Sequence, residues 1–122
     1  MDNKIILAVD DSAVGLRSVK TILEDRYTIR VAKTTGLASL ALKNEHIDLI
    51  LLDIEMPGDM SGIDYLKELK QDPATKDIPV IMVTGHTAFK LITEATKNGA
   101  TDYVVKPIDP AMLHEKVLAV FQ

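Results

Sequence analysis

The sequence predicts an α/β domain: a five-stranded parallel sheet of order 2-1-3-4-5, doubly wound with five helices. Apolar runs of strand length recur five times, and helical patterns fill the gaps between them. Strands alternating with helices imply βαβ units, whose crossovers must lie on the faces of a parallel sheet. The first, third and fourth runs are nearly continuous in apolar residues, as strands covered on both faces should be.

The first run is Ile5 to Val9. Ser12 then stands as an N-cap for a helix that presents Val19, Ile22 and Leu23 on one face. In the second run, Tyr27 to Ala32, the residues Tyr27, Ile29 and Val31 alternate with Thr28 and Arg30. That alternation marks an edge strand. Leu37, Leu40 and Ala41 allow a short amphipathic helix within Thr35 to Glu45. The third run, Ile47 to Leu52, is interrupted only by Asp48. Ser61 caps a helix with Ile63, Leu66 and Leu69 on its apolar face, and the fourth strand is Val80 to Val83. Phe89, Ile92 and Ala95 form the next stripe, stopped by Gly99, before the fifth strand, Tyr103 to Val105. The last helix opens with Asp109-Pro110, a capping carboxylate followed by a proline whose missing N–H costs nothing at the first turn. Its inner stripe is Leu113, Val117, Val120 and Phe121. Gly15, inside the first helix, costs about 1 kcal/mol relative to alanine and is expected to admit a partner helix at close range.

A chain of 122 residues is the size of one domain, here taken as residues 1–122. With 47% hydrophobic and 26% charged residues it reads as an ordinary globular chain. Its 18 acidic against 14 basic residues argue against a surface that covers nucleic acid. Cysteine is absent, which fits a reducing compartment. No apolar run approaches the ~20 residues that span a bilayer, and the start lacks an export signal. The expected location is the cytoplasm, with no membrane partner.

The central strands end in chemistry. Asp10 and Asp11 follow the first strand, Asp53 the third, Thr84 the fourth and Lys106 the fifth. In a doubly wound sheet these ends share one rim, at the switch point outside strands one and three. Three carboxylates within ~5 Å would repel by roughly 3 kcal/mol per pair at an effective dielectric near 20, so positive charge must accompany them. Oxygen donors without cysteine, and with His46, His86 and His114 scattered, suit a hard cation, most simply Mg²⁺. Lys106 can hold Asp53 or neutralise a phosphoryl oxygen. The Thr84 hydroxyl can bond another such oxygen, while Gly85 leaves room and an N–H beside it. The set supports attack by the Asp53 carboxylate on phosphorus to give an acyl phosphate, without a general base.

These residues resemble the receiver domain of response regulators in two-component signalling. The motifs are Val9-Asp10-Asp11-Ser12, Leu51-Leu52-Asp53-Ile54-Glu55-Met56-Pro57, Val83-Thr84-Gly85 and Gly99-Ala100-Thr101-Asp102-Tyr103-Val104-Val105-Lys106-Pro107. The resemblance implies the flavodoxin-like receiver fold and a phosphoacceptor, Asp53, that takes its phosphoryl group from a histidine kinase or a histidine phosphotransfer protein. It implies Mg²⁺ held by Asp11, Asp53 and the backbone carbonyl of Glu55, with Asp10 assisting. Thr84 and Tyr103 become the switch pair, the Lys106-Pro107 bond is expected to be cis, and a downstream protein reads the result. The domain would act as a monomer or a phosphorylation-dependent dimer, catalysing chemistry only on itself. The loop Gly58-Asp59-Met60-Ser61-Gly62 is one residue longer than usual for the family, and Glu55 and His86 flank the site. Two other classes stay open on the residues alone. One is a small Mg²⁺-dependent phosphohydrolase with an aspartyl-phosphate intermediate. The other is a flavodoxin-type cofactor carrier, which the acidic first turn and the absence of tryptophan oppose.

Overall fold

The computed structural model describes residues 3–56, 60–85 and 89–122. Gly58, Asp59 and His86 lie outside the described residues. The elements alternate: β1 (Ile5–Val9), α1 (Ala13–Leu23), β2 (Thr28–Ala32), α2 (Thr35–Asn44), β3 (Leu49–Asp53), α3 (Gly62–Gln71), β4 (Val80–Thr84), α4 (Phe89–Lys97), β5 (Asp102–Val105) and α5 (Pro110–Val120). All strand pairs are parallel, in the order β2-β1-β3-β4-β5. The predicted fold class is therefore the observed one.

The pleat sorts the apolar runs into two cores. Leu7, Val9, Ile50, Leu52, Val80 and Met82 point to one face, where Ala38 of α2, Leu66 and Leu69 of α3 and Ala95 of α4 cover them. Ile6, Ala8, Leu49, Leu51, Ile81 and Val83 point to the other, against Leu16, Val19 and Leu23 of α1 and Leu113 and Val117 of α5. Successive strand residues serve opposite faces, so a strand buried on both sides must be apolar throughout. β3 and β4 are buried along their whole length.

Side chains set the helix boundaries. The Ser12 hydroxyl accepts from the Gly15 N–H, Ser61 from Asp64, and the Asp109 carboxylate from Ala111, each satisfying an N–H that has no partner in the first turn. Helix α4 stops as Gly99 predicts. Its φ is +99°, and Ala100 N–H donates to Ala95 O at 3.0 Å while Gly99 N–H donates to Thr96 O at 3.1 Å. β3 begins later than its apolar run because Asp48 is otherwise engaged. Its Oδ2 accepts from Ile5 N–H at 2.8 Å, and its own N–H donates to Ile5 O at 2.8 Å.

Some predicted faces differ from the observed ones. Phe89 is 84% exposed, and Leu91 packs with Ala95 in its place. At ~100° per residue Phe89 stands roughly 120° from Ala95, whereas Leu91 stands roughly 40° away. Leu37 and Leu40 are exposed, because the inner face of α2 is Ala38 with Ala41 and Leu42. Val31 is exposed although it shares a sheet face with buried Ile29. As an edge strand, β2 has a neighbour on one side only.

Candidate functional site

The carboxyl ends of β1, β3, β4 and β5 bring the predicted residues together. Asp10 and Asp53 are 7% and 4% exposed, whereas Asp11 points to solvent. One carboxylate oxygen from each of the three lies within 4.8 Å of the others. Lys106 Nζ bridges two of them, donating to Asp10 Oδ2 at 3.0 Å and to Asp53 Oδ2 at 3.1 Å.

Backbone groups aim each carboxylate. Ser12 N–H donates to Asp10 Oδ1 at 2.9 Å, and Glu55 N–H donates to Asp53 Oδ1 at 3.1 Å. The chain beyond Asp53 is tied to β4 by Ile54 N–H donating to Val83 O at 3.0 Å, and Lys106 N–H donates to Thr84 O at 2.7 Å. The Lys106–Pro107 peptide bond is cis. Burial pushes the Asp53 carboxyl up to about 6, and neighbouring Asp10 adds to this, against the lowering effects of the Glu55 N–H and Lys106. Burial alone would lower the Lys106 ammonium, but its bonds to Asp10 and Asp53 overcome that and raise it.

Thr84 is fully buried. The register sets Met82 opposite Tyr103 and Thr84 opposite Val105, so Thr84 and Tyr103 share one face of the sheet. Tyr103 is 38% exposed, and its ring lies under Lys116 Nζ, 4.6 Å from the ring centroid. Glycine at position 85 has no steric necessity, since a Cβ there would make only an ordinary 3.7 Å contact with Glu55 Oε1.

Two glycines belong to the site although sequence reasoning gave them other places. A Cβ on Gly15 would meet Asp10 Oδ2 at 2.4 Å, so Gly15 makes room for a carboxylate of its own chain. Gly62, expected only as part of a loop, brings the start of α3 against the main chain at Asp53. A glycine inside the predicted first helix was the available signal for Gly15, and in neither case did spacing show what approaches it.

Three carboxylates against one ammonium leave net negative charge among oxygen donors, a set that fits a hard divalent cation. Fold and site together define a doubly wound α/β domain with an acidic rim at its topological switch point. The chain belongs to the response regulator receiver domain family, which it matches over residues 6–118, and it is a module of phosphorelay signal transduction. It is 38% identical over 122 residues to chemotaxis protein CheY-3 of Vibrio cholerae, covering 98% of this chain and 93% of that protein. Among solved structures it resembles the chemotaxis protein CheY4 of Vibrio cholerae crystallised at low pH, with a TM-score of 0.90, 29% identity and coverage of 98% and 99%. A CheY-like receiver domain protein from Methanospirillum hungatei superposes with a TM-score of 0.87 at 34% identity, covering 97% of this chain and 93% of that one. No helix among the described residues is long and apolar enough to cross a membrane.

Proposed function

We propose that residues 1–122 act as one domain that accepts a phosphoryl group on Asp53 and passes the signal on through its protein-binding surface. The observation that carries this is the meeting of Asp10, Asp11 and Asp53 within 4.8 Å, with Lys106 bridging the two buried members. Asp53 is the nucleophile. Its Oδ1 is oriented by the Glu55 N–H and its Oδ2 by Lys106, so the carboxylate is held in place before the donor arrives. Asp11, Asp53 and the Glu55 carbonyl would hold Mg²⁺, with Asp10 assisting through water. When bound, the ion supplies positive charge beside the transferring phosphoryl group. Lys106 offsets charge on a phosphoryl oxygen, and the Thr84 hydroxyl turns toward another. The space Thr84 leaves is taken by Tyr103, which changes the surface made by the last two strands and helices.

The donor is a histidine kinase or a histidine phosphotransfer protein. A groove lined by Val14, Arg17, Lys106 and Ile108 opens beside the site, where a donor can approach Asp53. The protein turns over no separate substrate and loses its own phosphoryl group by hydrolysis. It acts as a monomer or a phosphorylation-dependent dimer toward a downstream protein. Incubation with acetyl phosphate and Mg²⁺, followed by intact mass measurement, tests the assignment. One added phosphoryl group that Asp53→Asn abolishes is the expected result. No gain with several small donors, or sustained release of phosphate from a chromogenic ester, would overturn it in favour of an inert fold or a hydrolase.

A further inference from the structure

Lys116 of α5 makes three contacts with two consecutive residues of β5. Its Nζ donates to Asp102 Oδ1 at 3.0 Å and to the Tyr103 carbonyl oxygen, and it sits 4.6 Å from the centroid of the Tyr103 ring. The side chain of Lys116 is 21% exposed, so the ammonium is partly withdrawn from water where it meets the ring face. A cation over an aromatic face is attracted by the ring quadrupole, more strongly as water is excluded. Two of the three contacts are to groups that stay put when a tyrosine changes rotamer: a main-chain carbonyl and the Asp102 carboxylate, which also accepts from the Tyr103 N–H at 2.8 Å. The third depends wholly on where the ring lies. The ammonium is therefore anchored to the strand, and the ring is held beneath it.

We propose that Lys116 is a positioning residue that latches Tyr103 outward, setting how much phosphorylation must contribute before the ring turns toward Thr84. This rests on the reading that Tyr103 is the moving member of the switch. Inward rotation takes the ring away from the ammonium, and the lost attraction is a fixed bias toward the resting state. Neutralising Lys116 removes that bias while leaving Asp10, Asp11, Asp53 and Lys106 untouched. An interaction of this kind corresponds to about a threefold to tenfold change in the ratio of the two states.

The experiment is fluorine NMR on protein labelled with 3-fluorotyrosine, the Tyr103 resonance being assigned by its disappearance in Tyr103→Leu. Inward and outward populations are read with and without acetyl phosphate and Mg²⁺, and phosphoryl uptake is checked by intact mass. Lys116→Met is expected to raise the inward fraction of unphosphorylated protein about threefold to tenfold. Lys116→Arg, which can stack on the ring and pair with Asp102, restores it. Asp102→Asn, which loosens the anchor without removing the cation, shifts it the same way by less. An unchanged inward fraction in both Lys116→Met and Asp102→Asn, with phosphoryl uptake intact, overturns the latch. So does a change in phosphorylation rate on Lys116→Met that persists in the Tyr103→Leu background, because the lysine would then act through its charge at the site. Absence of phosphoryl uptake in the wild-type protein is a different failure, that of the Asp53 assignment.

Discussion

Gly62 abuts Asp53 through the main chain: a Cβ on Gly62 would lie 2.0 Å from the Asp53 carbonyl oxygen and 2.7 Å from Ile54 Cα. Gly62 N–H also donates to Ile54 O at 2.8 Å, so the first residue of α3 is bonded to the chain that leaves the acceptor. Backbone cannot swing aside as a side-chain tip can. Gly62→Ala is expected to destabilise the fold by about 3 kcal/mol, the upper range for overpacking. Urea denaturation measures it, and a loss under about 1 kcal/mol would show that the contact relaxes.

Gly15→Ala separates stability from site geometry. Alanine favours the helix by about 1 kcal/mol, and the group it displaces is the end of the Asp10 side chain. Asp10 must then leave its 3.0 Å contact with Lys106. Thermal stability should stay near wild type while Mg²⁺ affinity falls about tenfold or more, as for changes to groups that support metal ligands. Calorimetric titration with Mg²⁺ checks this, and unaltered affinity would refute it.

Asp53→Asn should stabilise the metal-free protein at neutral pH. Burial, the largest cause, holds the Asp53 carboxyl at about 6 against an ordinary 3.8. A group whose folded value lies above its unfolded value binds its proton more tightly in the native state. Wild-type stability therefore rises as pH falls from about 6 toward 3.8. The advantage of the asparagine variant shrinks over the same window. Mg²⁺ should raise the melting temperature of the wild type more than that of the variant. Melting curves at several pH values, with and without Mg²⁺, decide the matter, and a variant less stable than wild type at pH 7.5 would contradict the burial argument.

Lys106→Met removes the cation that bridges Asp10 and Asp53. Phosphorylation by acetyl phosphate is expected to slow by about a hundredfold, the typical loss when one charge-stabilising donor goes. A mass time course reads the rate, and near-normal kinetics would remove Lys106 from the site.

Phe89→Ser should leave stability within about 0.5 kcal/mol of wild type, because the residue is 84% exposed and packs on neither core. A substantially larger loss in denaturant would place the ring back in the fold.

Sequence patterning showed the layout because burial on two faces demands unbroken apolar strands, and β3 and β4 meet that demand. The site's members were visible for a related reason: a carboxylate after Leu52 or a lysine after Val105 interrupts an apolar pattern where the strands end. Helix faces were harder. In α2 and α4 the inward positions are held largely by alanine, which carries little hydrophobic signal, so the larger Leu37, Leu40 and Phe89 drew the prediction outward. Glycine contacts were hidden because spacing along a chain does not say which atom approaches from elsewhere. The Lys116 contact with Tyr103 depends on how α5 lies over the edge of β5, which no local pattern encodes.

The paired bonds of Asp48 with Ile5 have a mechanical consequence. Nearby, Thr28 N–H donates to Lys4 O, Ile50 N–H to Pro79 O and Thr101 N–H to Val80 O, all where strands enter the sheet. That margin is laced across five strands by main-chain contacts, and the opposite margin is tied in the same way, by Asp10 N–H donating to Ala32 O, Ile54 N–H to Val83 O and Lys106 N–H to Thr84 O. With the main chain tied at both borders, the freedom to rearrange near Asp53 is left to side chains.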